Sequence, residues 1–89
     1  MLLVDIWDLH KTKLYVNASA EGLDLVVDSP DKQTAIMEIC DLQGRRVHTT
    51  DLDLQSGRNH VTVPLVVARG IWVVQVRVAG ETRVAKVVR

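Results

Sequence analysis

The sequence of 89 residues predicts an all-β fold, an antiparallel β-sandwich of seven to eight short strands. Its apolar residues are mostly valine, leucine and isoleucine with no phenylalanine, and β-branched side chains fit a pleated, half-buried surface better than a helix. Apolar and polar residues alternate with period two in short runs, and no segment has a sustained helical stripe. Turn residues separate the runs and leave no room for crossover helices, so neighbouring strands should be antiparallel.

Residues 1–12 are predicted to be either a linker or a first strand, and the domain proper is expected at residues 13–89. The apolar run at residues 2–7 is broken by Asp5, too early for a signal peptide. No stretch reaches the ~18 apolar residues of a membrane span. If the domain is exported, we therefore expect its export signal elsewhere on a longer chain.

Two strands are predicted between residues 13 and 29. Residues 13–16 form a short strand that ends in a turn at residues 17–22. The next strand stops before Pro30, which has no amide hydrogen to donate to a sheet. This second strand buries alternate apolar residues, Leu23, Leu25 and Val27.

The next pair of strands is predicted to form a hairpin with its turn at residues 42–44 and its second strand at residues 46–53. Gly44 should adopt a positive φ, a conformation that glycine reaches without steric cost. Because successive strand residues point to opposite faces, the side chains of Arg45 and Arg46 should diverge and not form an anion clamp. The first strand of this hairpin buries Ala35, Met37 and Ile39.

Three more strands complete the pattern. A turn at residues 55–59 leads to a strand with Val61, Val63 and Leu65 facing inward, and a corner at residues 68–70 follows. The next strand has an inward face of Trp72, Val74, Val76 and Val78, opposite Val73, Gln75 and Arg77. A short turn at residues 79–81 leads to the last strand, which runs from Thr82 to Arg89.

The formal net charge is zero, which argues against a nucleic-acid partner. Residues 1–44 hold three Lys and eight acids, a net of −5, and residues 45–89 hold eight basic residues and three acids, a net of +5. Strands from both halves interleave in a sandwich, so we expect these charges largely to average out.

No motif supports an enzyme, and we expect no cofactor and no metal site. The three histidines, His10, His48 and His60, have no metal-ligand spacing. The acids fall mostly at strand ends and outward positions, where we expect a solvated surface. The single Cys40 excludes an internal disulfide and is expected to pack as a small apolar residue.

Four motifs occur in an order that resembles a known family. They are YVNAS at residues 15–19, AIMEICDLQGRRV at 35–47, LVVARGIWVVQV at 65–76 and AGETRVAKVVR at 79–89. Together they are similar to the C-terminal sorting domain of the type IX (Por) secretion system of Bacteroidota. The residues that match this family's signal motifs are Tyr15, Asn17, Asp41, Gly44, Arg45, Val47, Gly70, Trp72, Lys86, Val87, Val88 and Arg89.

The resemblance implies an Ig-like sandwich at the C-terminus of a larger exported protein, which crosses the periplasm to the outer membrane and cell surface. It implies an outer-membrane translocon and a sortase-type component as partners. In members of the family the sortase either removes the domain and attaches the cargo to anionic lipopolysaccharide, or the domain is retained on a component of the machinery.

The last strand is the expected recognition element. Strand addition to its edge would use main-chain groups, with Val84, Lys86 and Val88 supplying specificity, and the same edge invites a homodimer. The alternative function is an Ig-like accessory adhesion or carbohydrate-binding module of a surface protein. Such sites usually offer aromatic platforms, and this chain has only Trp7, Tyr15 and Trp72, two of them in strands expected to be buried.

Overall fold

The computed structural model describes residues 12–64 and 69–89. These residues form seven antiparallel strands and no helix, which confirms the predicted all-β class. No helix in this part of the chain is therefore long and apolar enough to cross a membrane. The strands are β1 (Lys13–Ser19), β2 (Gly22–Ser29), β3 (Gln33–Cys40), β4 (Arg46–Leu54), β5 (Gly57–Pro64), β6 (Ile71–Val78) and β7 (Glu81–Val88).

The strands form two sheets. The three-stranded sheet has the order β1-β2-β5 and the four-stranded sheet has the order β4-β3-β6-β7. The connections from β2 to β3, β4 to β5 and β5 to β6 pass from one sheet to the other, which gives an Ig-like sandwich. The edge strands are β1 and β5 in one sheet and β4 and β7 in the other.

The core lies between the sheets, where alternate residues of each strand point inward. The predicted inward faces of β2 and β3 are confirmed, since all six of their predicted core side chains are at most 1% exposed. Half-buried side chains of β1, β5 and β6 pack against this core. The buried apolar residues are Leu23, Leu25, Val27, Ala35, Met37, Ile39, Leu52, Leu54, Val63, Val74, Val76, Val78 and Val87.

Two strands extend into segments whose composition predicts turns. β1 continues through Asn17 to Ser19, because each of these residues pairs with a residue of β2. β5 begins at Gly57 and not after the predicted turn. The Asn59 side chain bridges this turn, accepting a bond from the amide of Gln55 at 2.9 Å and donating to its carbonyl oxygen at 2.9 Å. Pairing with a neighbouring strand thus outweighs the local turn preference of these residues.

Ion pairs join the acidic and basic halves of the chain. Arg58 on β5 makes a bidentate contact with Asp28 on β2, at 2.8 and 3.0 Å. This guanidinium, more than any other group, holds the pKa of Asp28 below its usual value. Arg77 on β6 likewise contacts Glu38 on β3. Each of these two contacts pairs an acid of the first half of the chain with an arginine of the second half.

Several sequence-based predictions concern positions outside the described residues. They are the linker or first strand that includes Trp7, the inward position of Leu65 and the corner residue Ala68.

Candidate functional site

The turn between β3 and β4 is built around the carboxylate of Asp41. Its Oδ1 accepts hydrogen bonds from the main-chain N–H groups of Gln43 and Arg45, at 3.0 and 2.8 Å, and its Oδ2 accepts one from Nε of Arg45 at 2.7 Å. Desolvation alone would raise the pKa of Asp41, but the hydrogen bonds from Arg45 and Gln43 outweigh it and hold this pKa below its usual value. The Asp in this motif therefore shapes the turn.

Gly44 has a φ of +85°, which confirms the predicted positive φ. A Cβ atom at this position would meet nothing within 4 Å, so the requirement for glycine comes from the backbone conformation alone. The two arginines diverge as predicted. Arg45 contacts Asp41 within the turn, whereas Nε of Arg46 lies 3.2 Å from Oε2 of Glu38 on the outer face of the sheet.

Glu38 corrects the prediction that outward-facing acids are solvated. It points to the outer face of the four-stranded sheet, yet its side chain is only 10% exposed. The guanidinium groups of Arg46 on β4 and Arg77 on β6 cover it from both neighbouring strands. Alternation along β3 alone does not reveal this burial, because it depends on the register that brings the two arginines together.

Both ends of β7 are tied to the beginning of the domain. Thr12 is fully buried, and its amide and Oγ1 donate to the Glu81 carboxylate at 3.4 and 3.0 Å. Its carbonyl oxygen accepts a bond from Nε of Arg83 at 2.7 Å. At the other end, the Arg89 guanidinium donates to the carbonyl oxygen of Ala20 at 3.3 Å. β1 and β7 therefore lie side by side and run in the same direction.

The register of the four-stranded sheet brings separate sequence motifs to one of its ends. Cys40 pairs with Val73, and Val73 pairs with Lys86. The β3–β4 turn, the start of β6 and the end of β7 are therefore neighbours. We name this the motif end and define it by three segments, residues 41–47, 70–72 and 86–89. All of the predicted signal residues lie there except Tyr15 and Asn17.

The motif end contains both surface and core residues. Val88 is 72% exposed and Val47 is 47% exposed, whereas Val87 is buried and Trp72 packs against the core. Val87 is therefore not available to a partner, and the half-buried Trp72 is only partly exposed. An open groove of about 670 Å³ adjoins this end, lined by Ala18, Ser19, Ala20, Arg69, Val88 and Arg89.

Tyr15 and Asn17 are not part of the motif end and lie on the outer face of the three-stranded sheet. The inward-facing residues of β1 are Leu14 and Val16, which pack against the core, so the residues between them face outward. Tyr15 is 50% exposed. The expectation that aromatic residues in strands are buried is therefore wrong for Tyr15 and holds in part for Trp72, which is half-buried.

The outer face of the four-stranded sheet carries more apolar surface than alternation predicts. Val84 is 59% exposed, Ile71 is 44% exposed and Ile36 is 39% exposed. The sequence signal for this surface is the presence of β-branched residues at both inward and outward positions of β6 and β7. Cys40 is a half-buried free thiol on this face.

Residues 12–64 and 69–89 contain no group of three or more His, Cys, Asp or Glu that could hold a metal ion. The motif end exposes main-chain groups of an edge strand, apolar side chains and basic side chains. Such a surface can bind another polypeptide. Models of known protein families, curated proteins and solved structures were compared with this chain, and none of them matches it.

Proposed function

We propose that this domain is a secretion signal that directs a larger exported protein through the type IX machinery to the outer membrane and cell surface. The observation that carries the proposal is the motif end, where three matched segments far apart in the chain meet at one end of a sheet. Its partners are the outer-membrane translocon and the sortase-type component of the system. The domain is then either cleaved by the sortase or retained on a component of the machinery.

The physical properties of the motif end suit recognition of a folded signal. The Asp41 carboxylate fixes the shape of the β3–β4 turn, and two bonds at 2.9 Å between the main chains of Gly70 and Arg89 fix the end of β7 against β6. A surface that is rigid before binding loses little conformational entropy when a partner docks. The exposed Val88 and Lys86 then face the partner.

Deletion of residues 86–89 should abolish surface delivery of a reporter protein that is exported when it carries the complete domain. The reporter should accumulate in the periplasm, because the truncated domain lacks the end of β7 and one of the three segments of the motif end. Immunoblots of protease-treated whole cells and of periplasmic fractions measure the two populations.

Unchanged surface delivery of the truncated fusion would contradict the proposal. Because Val87 belongs to the core, the purified truncated domain is also melted while its circular dichroism is followed. Lost delivery supports the proposal only if the truncated domain still unfolds cooperatively above the growth temperature.

The exposed Tyr15 favours a second candidate function, an accessory adhesion or carbohydrate-binding module. Its ring lies on a sheet face that also carries polar groups, and Asn17 is two residues further along the same strand. We rank this candidate second because Trp72 is half-buried against the core and so offers less ring surface as a platform. Normal export of the parent protein without this domain, together with sugar binding by the isolated domain, would favour it.

A further inference from the structure

We call the edge of β7 opposite β6 its free edge, because no strand within residues 12–64 and 69–89 is hydrogen-bonded to it, although β1 packs beside β7. This edge presents main-chain groups of four alternate residues. Gly70 and Arg89 exchange two main-chain hydrogen bonds, each 2.9 Å long. In an antiparallel pair such bonded positions alternate, so residues 81, 83, 85 and 87 also direct their N–H and C=O groups toward β6. The residues between them direct these groups toward the free edge, and they are Thr82, Val84, Lys86 and Val88.

Two of the other three edge strands, β4 and β5, are less suited to accept a further strand. β4 has an irregular register where Cys40 pairs with Arg46. β5 ends at Pro64, which has no amide hydrogen. Bulges and proline are two of the features by which sheet edges are protected from pairing. β7 has no proline or irregular register, and among the described strands β6 is its only hydrogen-bonded neighbour.

The side chains at the same four positions define a pattern. Val84 and Val88 are 59% and 72% exposed, and the exposed Lys86 lies between them on the outer face of the sheet. Lys86 makes no ion pair with any residue in 12–64 or 69–89. The buried Glu38 on this face is already covered by two arginines. The free edge therefore offers a positive charge without an acidic partner, placed between two apolar side chains.

We infer that β7 binds an extended segment of a partner protein as an added antiparallel strand, and that this segment places an acidic residue beside Lys86 between two apolar residues beside Val84 and Val88. This inference deepens the proposed function, since it names the chemistry of the partner at the motif end. A second copy of the chain does not satisfy the pattern, because the outward positions of β7 include no acid.

The probe is the peptide acetyl-Thr-Val-Thr-Glu-Thr-Val-Thr-amide, titrated into the 15N-labelled domain and followed by NMR. We expect changes in amide chemical shift confined to β7 and the strands beside it. A peptide with lysine in place of glutamate should bind at least about fivefold more weakly, as expected for opposite and like charges at paired strand positions. Lys86→Glu should reverse this preference, and Lys32→Glu, a matched change in the exposed β2–β3 turn, should leave it unchanged.

A second pair of peptides tests the main-chain bonds. N-methylation of the two valine amides and the glutamate amide should abolish binding, because these groups face β7 in an antiparallel pair. N-methylation of the intervening threonine amides should leave binding within about twofold, since these groups point away from β7.

Equal affinity of the glutamate and lysine peptides, shifts away from β7, or no shifts at millimolar peptide would overturn the inference. Concentration-dependent broadening of β7 amides without peptide would also overturn it, in favour of a second copy as the occupant. If the peptides bind as expected but the native domain does not export a reporter, the export proposal fails and strand addition stands. If the domain exports a reporter but does not bind the peptides, only the inference of strand addition fails.

Discussion

Replacing Leu25 with alanine should lower the free energy of unfolding by about 2–5 kcal/mol, the usual range for a fully buried leucine. Leu25 is 1% exposed at the centre of the three-stranded sheet, between Val16 on β1 and Val61 on β5. The substitution leaves a cavity that strands paired on both sides cannot easily close. Urea denaturation followed by circular dichroism measures the change.

Val26→Ala is the matched control for this substitution. Val26 is the next residue along β2, but it lies on the outer face and is half-buried. Its truncation should lower the free energy of unfolding by less than about 1 kcal/mol. Similar losses for the two variants would show that the inward and outward faces of β2 are assigned wrongly.

Replacing Gly44 with valine should lower the free energy of unfolding by about 1–2 kcal/mol, because a β-branched residue is strained at a φ of +85°. For a domain of this size the loss corresponds to a melting temperature lower by roughly 4–16 °C. The open space around this position means that steric overlap with neighbours does not add to the loss.

Gly44→Asn tests whether the positive φ explains the requirement for glycine, since asparagine adopts positive φ more readily than valine. We expect Gly44→Asn to melt between the native domain and Gly44→Val in differential scanning calorimetry. An unaltered melting temperature for Gly44→Val would contradict the conformational role of this glycine.

The fold was largely predictable from the sequence because burial follows alternation in a sandwich. The period-two pattern of Leu23, Leu25 and Val27 identifies the inward face of β2 without knowledge of its neighbours. The ends of β1 and β5 were less predictable, since Asn17 and Asn59 favour turns in isolation. Their places in strands depend on pairing with β2, which local propensity does not include.

The motif end was predictable in its residues but not in its geometry. Gly44 and Lys86 belong to two separate motifs of the sequence. Only the register of β3, β6 and β7 shows that they lie at one end of a sheet. The same register explains why Glu38 is covered by arginines from two other strands. The hydrogen bond from Thr12 to Glu81 joins residues near opposite ends of the chain, and no pattern within a strand identifies it.

A pair of charge reversals tests whether the motif end is the export signal. Lys86→Glu changes an exposed residue of the motif end, and Lys32→Glu makes the same change in the exposed β2–β3 turn. Neither side chain is part of the core, so both variants should keep the native melting temperature. The measurement is the fraction of a fused reporter that reaches the cell surface. We predict at least a severalfold loss for Lys86→Glu and normal delivery for Lys32→Glu; equal delivery of the two fusions would contradict the role of this end as the recognised signal.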